Sequence, residues 1–98
     1  MDNRELYKEK AEAKIEELNA RIDLLKSQMK GKTADARLSL NSQVELLEDK
    51  RQDLASRLRQ LRSAAEDAWE EIATGIDQAL DDVKDALERA GKEFEQAR

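Results

Sequence analysis

Asp77, Asp81 and Asp85 come nearest to chemistry in type and spacing: three carboxylates four residues apart, with Asp82 beside them. On a helix this spacing draws one acidic ridge. Like charges so placed cost a few tenths of a kcal/mol per pair, so the ridge does not support the helix. It can hold a divalent cation or meet a basic surface. Carboxylates fixed on one rigid helix face seldom converge on a single ion. Carboxylate di-iron bundles need Glu-x-x-His motifs, and the chain has no histidine. The ridge reads as a solvated acidic face with one functional option, the docking of a basic surface. The chain carries such a surface itself. Lys50–Arg62 holds five bases and one acid, leaving +4, whereas Ser63–Arg98 holds four bases and eleven acids, leaving −7. Arg51, Arg57 and Arg62 are therefore expected to dock against Asp77, Asp81 and Asp85, within one chain or between two.

Other chemistries find little footing. Gly31-Lys32-Thr33 spells the end of a phosphate-binding loop, but the glycine that motif needs at position 26 is Lys26, and no strand precedes it. Without histidine the usual proton shuttle is missing. Without cysteine there is neither a disulfide framework nor a thiolate metal site. No nucleophile–base pair and no glycine-rich loop stands out among the 23 acids and 18 bases. Catalytic, cofactor-binding and metal-ligating residues are expected to be none, and the chain is expected not to be an enzyme. Arg57 and Arg59 point about 160° apart on a helix. With a net charge of −5, nucleic acid is not an expected partner.

The elements that position these side chains are all helical. Charged residues make up 42% of the 98, aromatics 3%, and proline is absent, a composition of coiled coils and long helices. The apolar residues are periodic rather than scattered, unlike those of a disordered chain. Ala11, Ile15, Leu18, Ile22, Leu25 and Met29 succeed each other at 4, 3, 4, 3, 4, a coiled-coil seam that Leu6 or Tyr7 begins. Asp2 or Asn3 can cap this first helix, and Asp2 with Glu5 has capping-box spacing. Lys30-Gly31-Lys32-Thr33 then supplies a glycine for the helix end and a hydroxyl to cap the next one. The expectation is a helix over about 3–30, a turn at 31–33, and a second helix that returns antiparallel to the first.

From Thr33 onward nothing stops the helix. Ala36, Leu40, Val44, Leu47, Leu54 and Leu58 carry an apolar stripe, interrupted by Arg51. From residue 58 the chain repeats every eleven residues. Leu58, Trp69 and Leu80 form one column; Leu61, Ile72, Val83 and Phe94 form another, and Ala65, Ile76 and Leu87 a third. Such columns fall on one face of a nearly straight helix. The expected architecture is an all-α antiparallel hairpin in one domain, its second helix running from about 34 to 97, some 90 Å at 1.5 Å per residue. Ser63 and Glu66 have capping-box spacing, so the alternative is a three-helix bundle with a second turn near residue 63. No stretch approaches the roughly 20 apolar residues of a membrane span. The charged N-terminus leads into no apolar run, so no signal peptide is expected and the cytoplasm is the default location.

Glu17-Leu18-Asn19-Ala20-Arg21-Ile22-Asp23, the Leu47, Lys50-Arg51, Leu54 and Leu58 run, and Asp67-Ala68-Trp69-Glu70-Glu71-Ile72 with Gly75-Ile76 together resemble small bacterial coiled-coil stress-response proteins. The resemblance spans most of the chain and departs at Gly31-Lys32. It implies an all-helical, non-enzymatic protein and brings no catalytic or ligand residues. In the hairpin, the first helix covers only half of the second. Leu61, Trp69, Ile72, Ile76, Leu80, Val83, Leu87 and Phe94 are then the expected interface of a homo-oligomer, a dimer first. The expected function is a self-associating scaffold or protein-interaction protein. The alternative is a peripheral lipid-surface helix, because apolipoproteins use similar eleven-residue amphipathic repeats. The acidic polar face argues against it.

Overall fold

The computed structural model describes residues 3–97 and is all-α: α1 spans Asn3–Met29, α2 Ala34–Ser63 and α3 Trp69–Gln96. The three helices pack as a bundle of 50 × 19 × 16 Å with a Cα radius of gyration of 15.7 Å. The expected hairpin with one continuous helix over about 34–97 does not form; the three-helix alternative does. Partner numbers give the helix directions. Glu12 pairs with Arg62, Asp23 with Arg51 and Lys26 with Glu48, so α1 and α2 are antiparallel. Tyr7 reaches Ala73 and Lys32 reaches Phe94, so α1 and α3 run parallel.

The α1 seam buries Ala11, Ile15, Leu18, Ile22 and Leu25, with Met29 packed against the same core. Asp2, one of the two expected caps of this helix, lies outside the described residues. At the first turn Thr33 caps α2 as expected, its hydroxyl accepting from the Ala36 N–H at 3.2 Å. Gly31 does not take the left-handed conformation of a helix-ending glycine, since none of the described glycines has positive φ. Three successive short-range bonds close the turn instead: Lys30 N–H to Ser27 O, Gly31 N–H to Gln28 O and Lys32 N–H to Met29 O, at 3.1–3.2 Å. Helix α2 buries the stripe from Ala36 to Leu61, with Arg51 half-buried at its interruption.

The second turn contradicts local preference. Ser63-Ala64-Ala65-Glu66-Asp67 contains no glycine or proline, and alanine and glutamate are strong helix formers. Yet Ala64 leaves the helix with φ −71°, ψ 147°. The Ser63 hydroxyl does not cap α3; it donates back to the Arg59 and Gln60 carbonyls at 3.3 and 3.4 Å. Ala68 begins α3 with no side-chain cap at all. What bends the chain is burial. Ile76, Val83, Leu87 and Phe94 become 0–3% exposed, each worth about 1.5–3 kcal/mol. The break forfeits three or four helical hydrogen bonds at about 1 kcal/mol each, so packing wins over propensity.

Candidate functional site

The eight residues expected to join two chains lie in or against the core of one. Leu61, Ile76, Val83, Leu87 and Phe94 are buried, while Trp69, Ile72 and Leu80 are half-buried and pack on the same cluster. They do share one apolar face, as their spacing requires. The bend at Ala64 turns that face onto α1 and α2, so the uncovered stripe of the hairpin does not exist in this arrangement. Ala73, outside the repeat columns, is buried as well.

The charged residues are also brought together differently from the expectation. Arg51 grips Asp23 with its two terminal guanidinium nitrogens, Nη1 to Oδ1 at 2.9 Å and Nη2 to Oδ2 at 3.3 Å, and meets Glu48 at 3.2 Å. The Arg51 hydrogen bonds hold the Asp23 carboxyl below the usual aspartate range. Arg62 donates to Glu12 at 2.9 Å, and Arg57 donates to Asp53, one turn before it, at 2.8 Å. Arg57 also leans over α3: a Cβ built on Gly75 would lie 2.9 Å from its Nη1. Each arginine thus has a partner within its own helix pair, and none meets Asp77, Asp81 or Asp85. The ridge is solvent-exposed, and among the described residues its one interhelix hydrogen bond, from Tyr7 to Asp77, comes from α1. Asp77 and Asp81 border an open groove of about 630 Å³ between α1 and α3, opposite Lys10 and Lys14. Asp85 lines a shallow depression with Glu88, Arg89 and Lys92.

Three side chains close the bundle through hydrogen bonds that the sequence did not show. The Tyr7 hydroxyl lies 2.8 Å from both the Ala73 carbonyl and Asp77 Oδ1, sharing its one proton between two acceptors. Burial, then the Asp77 hydrogen bond and charge, push its pKa well above the ordinary tyrosine value. Its ring is 6.4 Å from that of Trp69 at a 44° tilt. Arg4 donates to the Leu61 and Arg62 carbonyls at 2.8 and 3.3 Å, satisfying the end of α2. Lys32 donates to the Phe94 and Ala97 carbonyls at 2.8 and 3.1 Å. Helix α3 has no basic residue in its own last turn, and Lys32 supplies the cation that its negative end favours. The one available sequence signal was this missing base.

A second groove, of about 520 Å³, continues the first along α1 and α3, between Arg21 and Glu95, with Leu24 and Phe94 in its wall. Among the described residues no group of three or more acids is placed to hold a metal ion. Among them, too, no buried side-chain nitrogen or oxygen lacks a hydrogen-bond partner, and no helix is long and apolar enough to cross a membrane. Comparison with protein-family models, curated proteins and solved structures finds no match.

Proposed function

We propose that the protein is a non-enzymatic helical scaffold that works by self-association, with a second copy of the chain as its partner. The observation that carries this reading is α3. Its eleven-residue stripe is the face that packs on α1 and α2, where Ile76, Val83, Leu87 and Phe94 are buried in the common core. Arg51 and Arg62, meanwhile, tie α2 to α1, and Arg4 and Lys32 cap the ends of α2 and α3. A face that assembles helices within one chain can assemble them between chains by the same contacts. The resemblance of the helical seams to bacterial stress-response coiled coils supports a stress-related setting for that assembly.

Light scattering on a sizing column, from micromolar to millimolar chain, tests it. A mass rising from 11.2 kDa to twice that value supports the scaffold reading. A mass fixed at one chain across the range removes it. A lipid surface is the second reading, favoured only by the apolar stripe that α3 would show if released. The outward Asp81, Asp82, Asp85 and Glu88 oppose it at anionic membranes. Trp69 emission that stays put on neutral and anionic vesicles disposes of that alternative.

A further inference from the structure

We infer that Ser63–Ala68 is a hinge, and that two copies of the chain exchange α3 by straightening it. This rests on the self-association reading and specifies its mechanism. Three observations converge. First, the apolar seam does not stop at the bend: Leu58, Leu61, Ala65, Ala68, Ile72 and Ile76 are spaced 3, 4, 3, 4, 4, the rhythm of one uninterrupted helix. The bend leaves two of these seam positions outside the core, Ala65 exposed and Ala68 half-buried. Second, the segment consists largely of strong helix formers, with no residue that requires a turn. Ala68 is already helical at φ −104°, ψ −18°, and Ala64 is extended. Third, the bend is held from outside, by Arg4 on the Leu61 and Arg62 carbonyls. In a straight helix those two carbonyls accept instead from the N–H groups of Ala65 and Glu66.

Exchange keeps nearly every contact of the bundle. The second chain's α3 seats between α1 and α2 through the side chains that hold the first chain's α3, including those meeting Tyr7 and Lys32. Because α2 and α3 are antiparallel in the bundle, two straightened chains run antiparallel through a twofold axis at the hinge, an isologous arrangement that closes on itself. There Ala65 and Ala68 of the two copies face each other, and small residues let the helices approach. The balance between closed and exchanged forms is then set by the hinge alone: the Arg4 cap favours the bend, and the continuous seam favours the straight helix.

The test refolds the full chain from urea at millimolar concentration and separates the products by mass. Ala65→Pro bars the straight helix, because proline there removes the N–H that Leu61 O needs and clashes with that carbonyl. It suits the closed bundle, since the residue before a proline prefers the extended backbone that Ala64 already has. Arg4→Ala should act in the opposite sense, raising the dimer fraction about tenfold through loss of charge-assisted bonds at the bend. Spin labels on Gln52→Cys and Gln78→Cys, in a chain with no other cysteine, read the geometry when labelled chains are co-refolded with excess unlabelled ones. Straightening puts the two sites about 39 Å apart, 26 residues at 1.5 Å; in the closed bundle, where Arg57 lies beside Gly75, they fall at one level of a 19 × 16 Å cross-section and are much closer. The inference stands if the dimer shows the long distance and Ala65→Pro is monomeric with its helix content intact. A dimer that survives Ala65→Pro with a short intrachain distance overturns the hinge and leaves self-association standing. A monomer throughout, Arg4→Ala included, overturns both.

Discussion

The Tyr7 hydroxyl donates to Asp77 across the α1/α3 interface at 2.8 Å, beside the Ala73 carbonyl at the same distance. This is the chemical lock between the two parallel helices, and it has a pH signature. The folded-state pKa of Tyr7 is raised by burial first and by Asp77 second. The folded protein therefore holds the phenolic proton more tightly than the unfolded chain, whose tyrosine titrates near 10. The stabilisation is complete below about pH 10 and is lost as pH climbs above that value toward the folded pKa. Tyr7→Phe is expected to lower stability by about 1 kcal/mol at neutral pH and to flatten the decline of the wild type above pH 10. Urea midpoints of both proteins between pH 7 and 11 check this; parallel curves would deny Tyr7 the role.

Arg51 and Asp23 make the corresponding tie between α1 and α2. Here the carboxylate is solvent-exposed, so the expected effect is spectroscopic rather than energetic. The Asp23 carboxyl should titrate below the ordinary aspartate value of 3.8, chiefly because it accepts hydrogen bonds from Arg51. Whatever the pair contributes is present above pH 3.8 and fades as pH falls through the depressed pKa. Arg51→Gln should return Asp23 to the normal range. Carbon-detected NMR titration of the side-chain carboxyl tracks both proteins directly, and an unmoved Asp23 would show the bidentate pair absent in solution.

The seams over 11–29 and 36–58 could be read from spacing because each buried position lies one or two helical turns from the last. Thr33 was legible too, since a hydroxyl placed after a glycine break has a local partner in the Ala36 N–H. The second turn was not legible in its mechanism. Ser63 and Glu66 point to the right place by their spacing, but Ser63 bonds backward into α2. The bend is created by the burial of Ile76 to Phe94, which no window around residue 64 contains. The same long-range cause decides what the interface residues pack on in the single chain: their common face was visible in the sequence, whereas what covers it there depends on a turn made elsewhere. Arg4 and Lys32 stayed hidden for a simpler reason. Their acceptors are carbonyls 57 and 62 residues away, and carbonyls leave no trace in side-chain pattern.

Glycine positions in α3 offer a gain of stability. Gly91 sits inside the helix with nothing within 4 Å of an added Cβ. Gly91→Ala should raise stability by about 0.5–1 kcal/mol through helix propensity alone. Gly75→Ala carries the same propensity gain, but its Cβ meets Arg57 Nη1 at 2.9 Å. The guanidinium is the end of a flexible side chain, so it should move aside and return part of the gain. Thermal melts that rank Gly91→Ala above Gly75→Ala above wild type fit this packing. Reversal of the two variants would mean the arginine is free of α3.

Lys32 should matter to residues more than 60 positions away in the chain. It projects from the first turn onto the Phe94 and Ala97 carbonyls, where a cation at a helix C-terminus contributes about 0.3–1 kcal/mol. Lys32→Ala is expected to lower global stability by about that amount and to speed amide exchange in residues 94–97 more than in α1. Lys32→Arg, which keeps charge and reach, should leave exchange nearly unchanged. Equal acceleration throughout the chain would assign Lys32 to general stability rather than to the α3 cap.

The sharpest separation between a closed bundle and an open hairpin lies in Ile76 and Leu38. Ile76 is 0% exposed at the centre of the three-helix core, whereas Leu38 on α2 is 78% exposed. In the bundle, Ile76→Ala removes buried methyl groups and leaves a cavity, for a loss of about 2–5 kcal/mol. A domain of this size has a total stability of roughly 5–15 kcal/mol, so such a loss shifts the urea midpoint far. Leu38→Ala touches little and should stay within about 0.5 kcal/mol. Measurement at micromolar concentration keeps self-association out of the comparison. If α3 were undocked from α1 and α2 in the single chain, both substitutions would fall on solvated faces and their midpoints would coincide. A large difference between them places α3 in the core of each chain before any second copy is bound.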